Sequence, residues 1–356
     1  MTTPLRLSLA SAALALVGAP ALADRLNIYT WTGYIDPALI EKFEAETGIN
    51  VIVDAYDSNE MLLARLQGGA TGYDIVMPSQ HYVEIMIREG LLQPVPVTEL
   101  PNYANVAEEW RNPPWDPEQA YSTPWHYGSA SFSYRADLYS GPGASLEEFF
   151  NPAPELHGRL QVLAAPDEVI NLASLYLGIP YCTESTDDAR RILEVLQAQK
   201  PAVLLYSSDA MNDRLSNAEV IMAAHWGGYS YQGRINGNEH ITYAYPREGV
   251  VGWFDSMVVP TGAQNVDAAL AFMDFMMEPE NIAIQTNYVG YANAITGSEA
   301  YFSDDVLNAP EAHHPADVPL VFAQACSADA QRLLVVVEAR RPVRRTQRED
   351  QGRAAR

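Results

Sequence analysis

Basic residues are scarce in this chain. Its 356 residues hold 22 Lys and Arg against 45 Asp and Glu, a formal charge of −23. Such an acidic surface repels phosphate backbones, which argues against nucleic acid as a partner, and it attracts cations over a distance. Cysteine is scarcer still, with only Cys182 and Cys326. An oxidising compartment permits a bridge between them, but spacing alone leaves open whether the two meet. After the first 23 residues no apolar run is long enough to cross a bilayer. Catalytic signatures are missing as well. There is no G-x-S-x-G elbow, no H-E-x-x-H helix and no Walker A loop. Gly141-Pro142-Gly143 is too short for a dinucleotide loop. Glu311, His313 and His314 are metal-ligating types, but no further ligand stands at a recognisable spacing, so they read as a solvated loop. These absences lower the case for an enzyme, and no metal or cofactor is expected.

What is present begins with a leader. Arg6 is followed by an apolar run over 7–17 and by Ala21-Leu22-Ala23, the small-residue pattern of a cleavage site. A signal peptide over 1–23 is expected, with a mature chain from Asp24 and, since no Cys follows the site, no lipid anchor there. The remaining 333 or so residues suit two domains.

Strand and helix signals then alternate. A strand over 26–30 precedes a helix opened by Pro37, with Leu39, Ile40 and Phe43 on one face and Gly48 at its end. A strand over 49–55 follows, then a helix capped by Ser58 and stopped by Gly68-Gly69. A third strand over 73–77 leads to a helix over 83–88. The alternation predicts an α/β fold, mainly parallel sheet flanked by helices. Loops after such strands open on the carboxyl edge, where open α/β folds bind ligands. Two of them are Trp31-Thr32-Gly33-Tyr34 and Pro78-Ser79-Gln80-His81-Tyr82. The Pro-rich stretch over 112–124 reads as a long surface connection to a crossover near Gly128. A second α/β region follows. Its strands are expected over 160–164, 203–206 and 220–224, with helices over 168–177 and 192–199. Extended pieces at 241–245 and 258–259 and a helix over 268–277, closed by Glu278-Pro279, complete it. The end, over 333–356, turns Val- and Arg-rich and reads as a basic disordered tail.

Aromatics and carboxylates recur at the predicted strand ends. Trp31 and Tyr34 follow the first strand, Trp226 and Tyr229 the strand over 220–224, Trp253 and Asp255 stand in Gly252-Trp253-Phe254-Asp255-Ser256, and Tyr291 in a Gly290-Tyr291-Ala292-Asn293 turn. Singly, each is more often core than contact. Together they describe an aromatic box with few acids. Ring faces attract an ammonium by about 0.5–2 kcal/mol each when desolvated. Carboxylates add charge-assisted hydrogen bonds, and methylenes bury against the rings.

Several ordered motifs then carry a resemblance over about 26–325. They are Ile28-Tyr29-Thr30-Trp31-Thr32-Gly33-Tyr34-Ile35, Phe43-Glu44-Ala45-Glu46-Thr47-Gly48-Ile49, Asp57-Ser58-Asn59-Glu60, Tyr73-Asp74-Ile75-Val76-Met77-Pro78-Ser79, Pro246-Arg247-Glu248-Gly249 and Gly290-Tyr291-Ala292-Asn293. The chain resembles the periplasmic spermidine/putrescine-binding proteins of bacterial polyamine ABC transporters. The resemblance implies a two-lobed periplasmic-binding-protein fold of type II that closes over a polyamine and delivers it to a membrane permease, as a periplasmic monomer. It implies chain crossings near Gly128, near Phe254 and after about Asn293. One lobe would be 24–128 with about 256–300, the other 129–255 with about 301–332. The matched binding positions are Trp31, Thr32, Tyr34, Ser79, Glu168, Ser207, Trp226, Trp253, Asp255 and Tyr291; Tyr229 stands where some putrescine binders carry an Asp. Gly33 also replaces an acid found in many members. With Glu168 and Asp255 as the main pocket acids, a diamine is favoured over a triamine, with room for a related ligand with one amine. The tail departs from the family's usual aromatic, amphipathic end; a shifted reading frame would account for it. Two other readings stay open: a binding protein for a different solute, and a secreted hydrolase or lyase with Glu168 and Asp255 as acid and base.

Overall fold

The structure is a computed structural model that describes residues 25–327, 329, 330 and 333. The expected leader over 1–23 and all but the first residue of the expected tail lie outside the described residues. The first part runs β1 (Arg25–Trp31), α1 (Pro37–Thr47), β2 (Asn50–Tyr56), α2 (Asn59–Gln67), β3 (Ile75–Val76), α3 (Gln80–Arg88). The middle runs β4 (Ser122–Arg135), α4 (Glu147–Phe150), β5 (Leu160–Val162), α5 (Pro166–Leu177), α6 (Thr186–Gln199), β6 (Val203–Tyr206), α7 (Met211–Ser216), β7 (Met222–Trp226), α8 (Gly227–Asn236) and β8 (Ile241–Tyr243). The last part runs β9 (Val250–Val258), α9 (Val266–Met276), α10 (Pro279–Val289), β10 (Ala292–Asn293), α11 (Asp304–Leu307) and β11 (Leu320–Phe322).

Local chemistry sets these boundaries. Asp36 accepts from the N–H of Ala38 and Pro37 opens α1, while Gly48 ends it at φ 73°, a left-handed conformation that glycine adopts at no steric cost. Ser58 caps α2 by accepting from the Met61 N–H. Pro279 both stops α9 and opens α10, since it lacks an N–H for the first helix and suits the first turn of the second.

The strands form one curled sheet in the order β2-β1-β3-β9-β4-β7-β5-β6. Each outer part is parallel: β1 with β2 and β3, and β5 with β6 and β7. The two central strands, β4 and β9, run antiparallel to each other and through both halves. The first half of β4 pairs with β9 and β10, and its last residues pair with β7 and β8. A register shift between Pro124 and Tyr127 breaks the ladder close to Gly128. Two separate cores flank this shared pair. One gathers Phe132, Phe149, Leu163, Leu172 and Ile192; the other gathers Leu39, Phe43, Trp125, Met257 and Phe272. A further cluster, including Tyr29, Tyr56, Leu62 and Val83, covers the other face of the β1 region.

Several sequence expectations are corrected here. The stretch over 112–124 is not wholly a surface connection. Asp116, Gln119, Ser122 and Thr123 are buried, because Asp116 accepts from the N–H groups of Ala120, Tyr121 and Ser122 and from the Ser122 hydroxyl. Helix α3 begins at Gln80, so His81 and Tyr82 are helical rather than loop residues. Trp253 and Asp255 stand mid-strand, since all nine residues of β9 are buried as a central strand. Cys182 and Cys326, left open above, are joined by a disulfide, with Cα atoms 5.0 Å apart across 144 residues of sequence. Glu311 is not solvated. It is buried and receives a two-pronged contact from Arg234, at 2.7 and 2.9 Å. His313 and His314 are exposed and bond to backbone carbonyls.

Candidate functional site

The carboxyl ends of β1 and β3 carry the first side of the site. Trp31 ends β1 and is pinned by its indole N–H, which donates to the Met77 carbonyl at 3.0 Å. The Tyr56 hydroxyl donates to the same carbonyl at 2.6 Å. Thr32 donates to Asp57 at 3.1 Å. Ser79, just before α3, does not cap that helix with its side chain. Its hydroxyl donates instead to Asp255 Oδ1 at 2.7 Å and accepts from the Asn59 amide at 3.1 Å.

The second half supplies the facing wall. Glu168 lies in the first turn of α5, and its Oε2 accepts from the Trp226 indole N–H at 2.6 Å. Trp226 ends β7 and approaches Trp31 edge-on, with ring centroids 6.2 Å apart. Alternation along β9 points Trp253 and Asp255 to one face and Phe254 to the other, where Phe254 packs on Trp110, Trp115 and Tyr127. Tyr291 meets Trp253 at a right angle, 4.8 Å between centroids, and its hydroxyl accepts from the Tyr229 N–H at 3.2 Å.

These side chains surround a cleft of about 680 Å³, measured out to its open mouth. Ten of the eleven expected residues line it: Trp31, Thr32, Tyr34, Ser79, Glu168, Trp226, Tyr229, Trp253, Asp255 and Tyr291. Ser207 does not. Its hydroxyl accepts from the Asp209 N–H and stays with its own turn, while Ser208 and Asp209 line the cleft in its place. Residue patterns also missed Tyr56, Asp57, Gln232 and Val289. The signal for Asp57 was available: it follows the second strand, at the same sheet edge as Trp31 and Ser79. The lining therefore holds four acids, Asp57, Glu168, Asp209 and Asp255, and no Lys, Arg or His among the described residues.

Electrostatics favour a cation here. Burial pushes the Asp255 carboxyl up to about 7, with the Ser79 and Tyr34 hydroxyls acting against it. Burial, then the neighbouring Asp167 charge, raises Glu168 well above the usual carboxylate range, and the Trp226 N–H offsets part of this. Burial also raises Tyr34 and Tyr291, so both remain neutral hydroxyls. A ligand ammonium would restore the charge that burial disfavours. Among the described residues, no group of three or more His, Cys, Asp or Glu is arranged to hold a metal.

The comparisons with known proteins agree with this geometry. Residues 38–314 match the family model described as bacterial extracellular solute-binding protein. The putrescine-binding periplasmic protein PotF of Escherichia coli (strain K12) is 30% identical over 310 residues, covering 82% of this chain and 84% of that one. The spermidine/putrescine-binding periplasmic protein of the same organism is 31% identical over 305 residues, 84% and 87% of the two chains. The solved TpPotD lipoprotein of Treponema pallidum superimposes with a TM-score of 0.77 at 26% identity, covering 89% of this chain and 99% of that structure. The fold is the two-lobed type II periplasmic-binding-protein fold, and the matched family consists of solute-binding proteins rather than enzymes. On its sequence, its shared central strands and its acid-lined aromatic cleft, the chain belongs to the bacterial extracellular solute-binding proteins.

Proposed function

We propose that this protein captures a linear polyamine of the putrescine or spermidine type in the cleft and delivers it, in the periplasm, to the permease of an ABC transporter. One observation carries the reading: two buried carboxylates, Glu168 and Asp255, share an aromatic-walled cleft that no basic side chain lines among the described residues. Each ammonium would meet a carboxylate, and the methylenes between them would lie on Trp31, Trp226, Trp253 and Tyr291. The absence of a lining cation disfavours anions and solutes that carry a carboxylate. With Asp57 and Asp209 added, the acid count no longer separates a diamine from a triamine. The lobes would divide at the crossings of β4 near Gly128 and β9 near Phe254, and the protein would act as a monomer after loss of its leader.

The test is a thermal-shift and calorimetric screen of putrescine, cadaverine and spermidine beside sugars and dicarboxylates. Amines should raise the melting temperature, because a ligand of the folded state alone stabilises it. A response to sugars or dicarboxylates only would end the polyamine reading.

A further inference from the structure

Glu60, His81 and Asp167 meet beside the cleft without lining it. Glu60 lies in the first turn of α2 and His81 in that of α3, both packed in the first half. Asp167 opens α5, packed in the second. Their contact therefore joins the halves at a point away from the shared strands. His81 Nε2 lies 3.0 Å from Asp167 Oδ2, with the side chains only 7% and 18% exposed. The Asp167 N–H donates to Glu60 Oε1 at 3.3 Å. Asp167 Oδ1 accepts from the Glu168 N–H at 2.8 Å. Glu60 Oε2 is buried and accepts no hydrogen bond from a donor among the described residues.

Three carboxyl groups, Glu60, Asp167 and Glu168, thus act on one another, and one of them, Asp167, meets the His81 imidazole. Like charges this close do not all ionise. Burial, then the Asp167 charge, holds Glu60 well above the usual carboxylate range, so it keeps its proton. Burial works to raise Asp167 too, but the hydrogen bond and charge of His81 hold it low, and it stays ionised. A neutral carboxyl and an imidazole on one half thus face a carboxylate on the other. The same carboxylate fixes the backbone of Glu168, whose side chain enters the cleft.

We propose that Glu60, His81 and Asp167 form a clasp between the lobes, which holds them together over the bound solute and positions Glu168. The clasp rests on the binding reading above only in that closure accompanies binding. Its residues are positioning residues, since none of them lines the cleft.

The test uses the mature protein with spin labels at Glu46→Cys on α1 and Glu194→Cys on α6, both exposed. Interlobe distances are measured without ligand and with saturating putrescine, and putrescine affinity is measured by calorimetry. His81→Ala and Asp167→Ala should each lower the ligand-free closed fraction by about threefold or more. Affinity should fall by the same factor, because apparent affinity scales with the competent population. Glu60→Gln, neutral and of the same shape, should match the parent, whereas Glu60→Ala should not. The glutamine variant keeps the shape and the acceptor for the Asp167 N–H, so it tests whether Glu60 acts as a neutral group. The clasp is overturned if His81→Ala keeps the parental closed fraction, or if Glu60→Gln is as damaging as Glu60→Ala. If putrescine fails to bind the parent while ligand-free distances respond to the variants as stated, the polyamine reading fails and the clasp stands.

Discussion

The Ser79 hydroxyl donates to Asp255 Oδ1 at 2.7 Å, although 176 residues separate the two in sequence. The bond ties the loop before α3 to the middle of β9 and turns the buried carboxylate toward the cleft. It also explains why Ser79 leaves the α3 N-terminus without a side-chain cap. The hydroxyl serves the site instead of the helix.

Asp255→Asn removes the charge and keeps the shape. If Asp255 pairs a buried ammonium, losing one partner costs about 2–5 kcal/mol, or about 30-fold to several-thousand-fold in affinity. Calorimetric titration with putrescine checks it, and an unchanged melting temperature of the ligand-free variant confirms folding. Affinity within about threefold of the parent would leave Glu168 as the principal anchor.

Binding should strengthen as pH rises through about 7. Asp255 in the folded protein ionises near 7, while an ordinary Asp ionises near 3.8. An ammonium ligand requires the ionised form, so binding below about pH 7 must expel a proton and is weakened. Stability of the ligand-free protein runs the other way. Between about 4 and 7 the folded state binds more protons than the unfolded one, so the Asp255 contribution is full below 4 and is lost as pH rises through 7. Titrations in buffers of different ionisation enthalpy, beside melts of the parent and Asp255→Asn, read both slopes. Proton release that is the same in the variant would assign the effect to another group.

Gly228 and Tyr291 are in van der Waals register at the back of the box. A Cβ at Gly228 would stand 2.5 Å from two Tyr291 ring carbons and 2.3 Å from the Val289 carbonyl oxygen. Gly228→Ala must therefore displace the ring that walls the cleft and loosen its bond from the Tyr229 N–H. Overpacking of this kind costs about 1–3 kcal/mol of stability. Putrescine affinity should fall by about tenfold or more, a factor worth about 1.4 kcal/mol. Denaturant unfolding and calorimetry separate the two effects, and a variant unchanged in both would show that the ring moves freely.

The bridge between Cys182 and Cys326 closes a long loop and tethers the segment after β11 to the turn before α6. Loss of such a link costs about 2–5 kcal/mol. Cys182→Ser with Cys326→Ser should lower the melting temperature, and hydrogen exchange should speed up at residues 320–327, beside β9. Equal protection of that segment in parent and variant would show that β11 pairing alone holds it.

The elements of the first half were legible because their punctuation is local. Asp36-Pro37, Ser58 and Gly48 act on their own neighbours, so residue type and order suffice to place α1 and α2. The expected site positions were read from motifs and the resemblance, and ten of them line one cleft. Ser207 stays out of the cleft lining because its hydroxyl accepts from the Asp209 N–H within its own turn, and one residue of register puts Ser208 at the cleft instead. Asp57 went unread although it follows Tyr56 at the end of the second strand, and Asp209 because its turn gives no local sign of where it points; only folding brings their loops to the cleft.

From order and composition alone came the alternation of strand and helix and the aromatics and Asp255 that recur near predicted strand ends, while Thr32, Ser79 and Glu168 entered as site positions only through the resemblance. Those properties depend on side-chain type and on contacts a few residues apart. Tertiary structure decided the rest. Whether Cys182 reaches Cys326, whether Trp253 and Asp255 lie mid-strand, and whether Glu60 and His81 meet Asp167 all depend on pairings between distant segments. Such pairings follow from how β4 and β9 thread both halves, and no local pattern encodes a distance across the sheet.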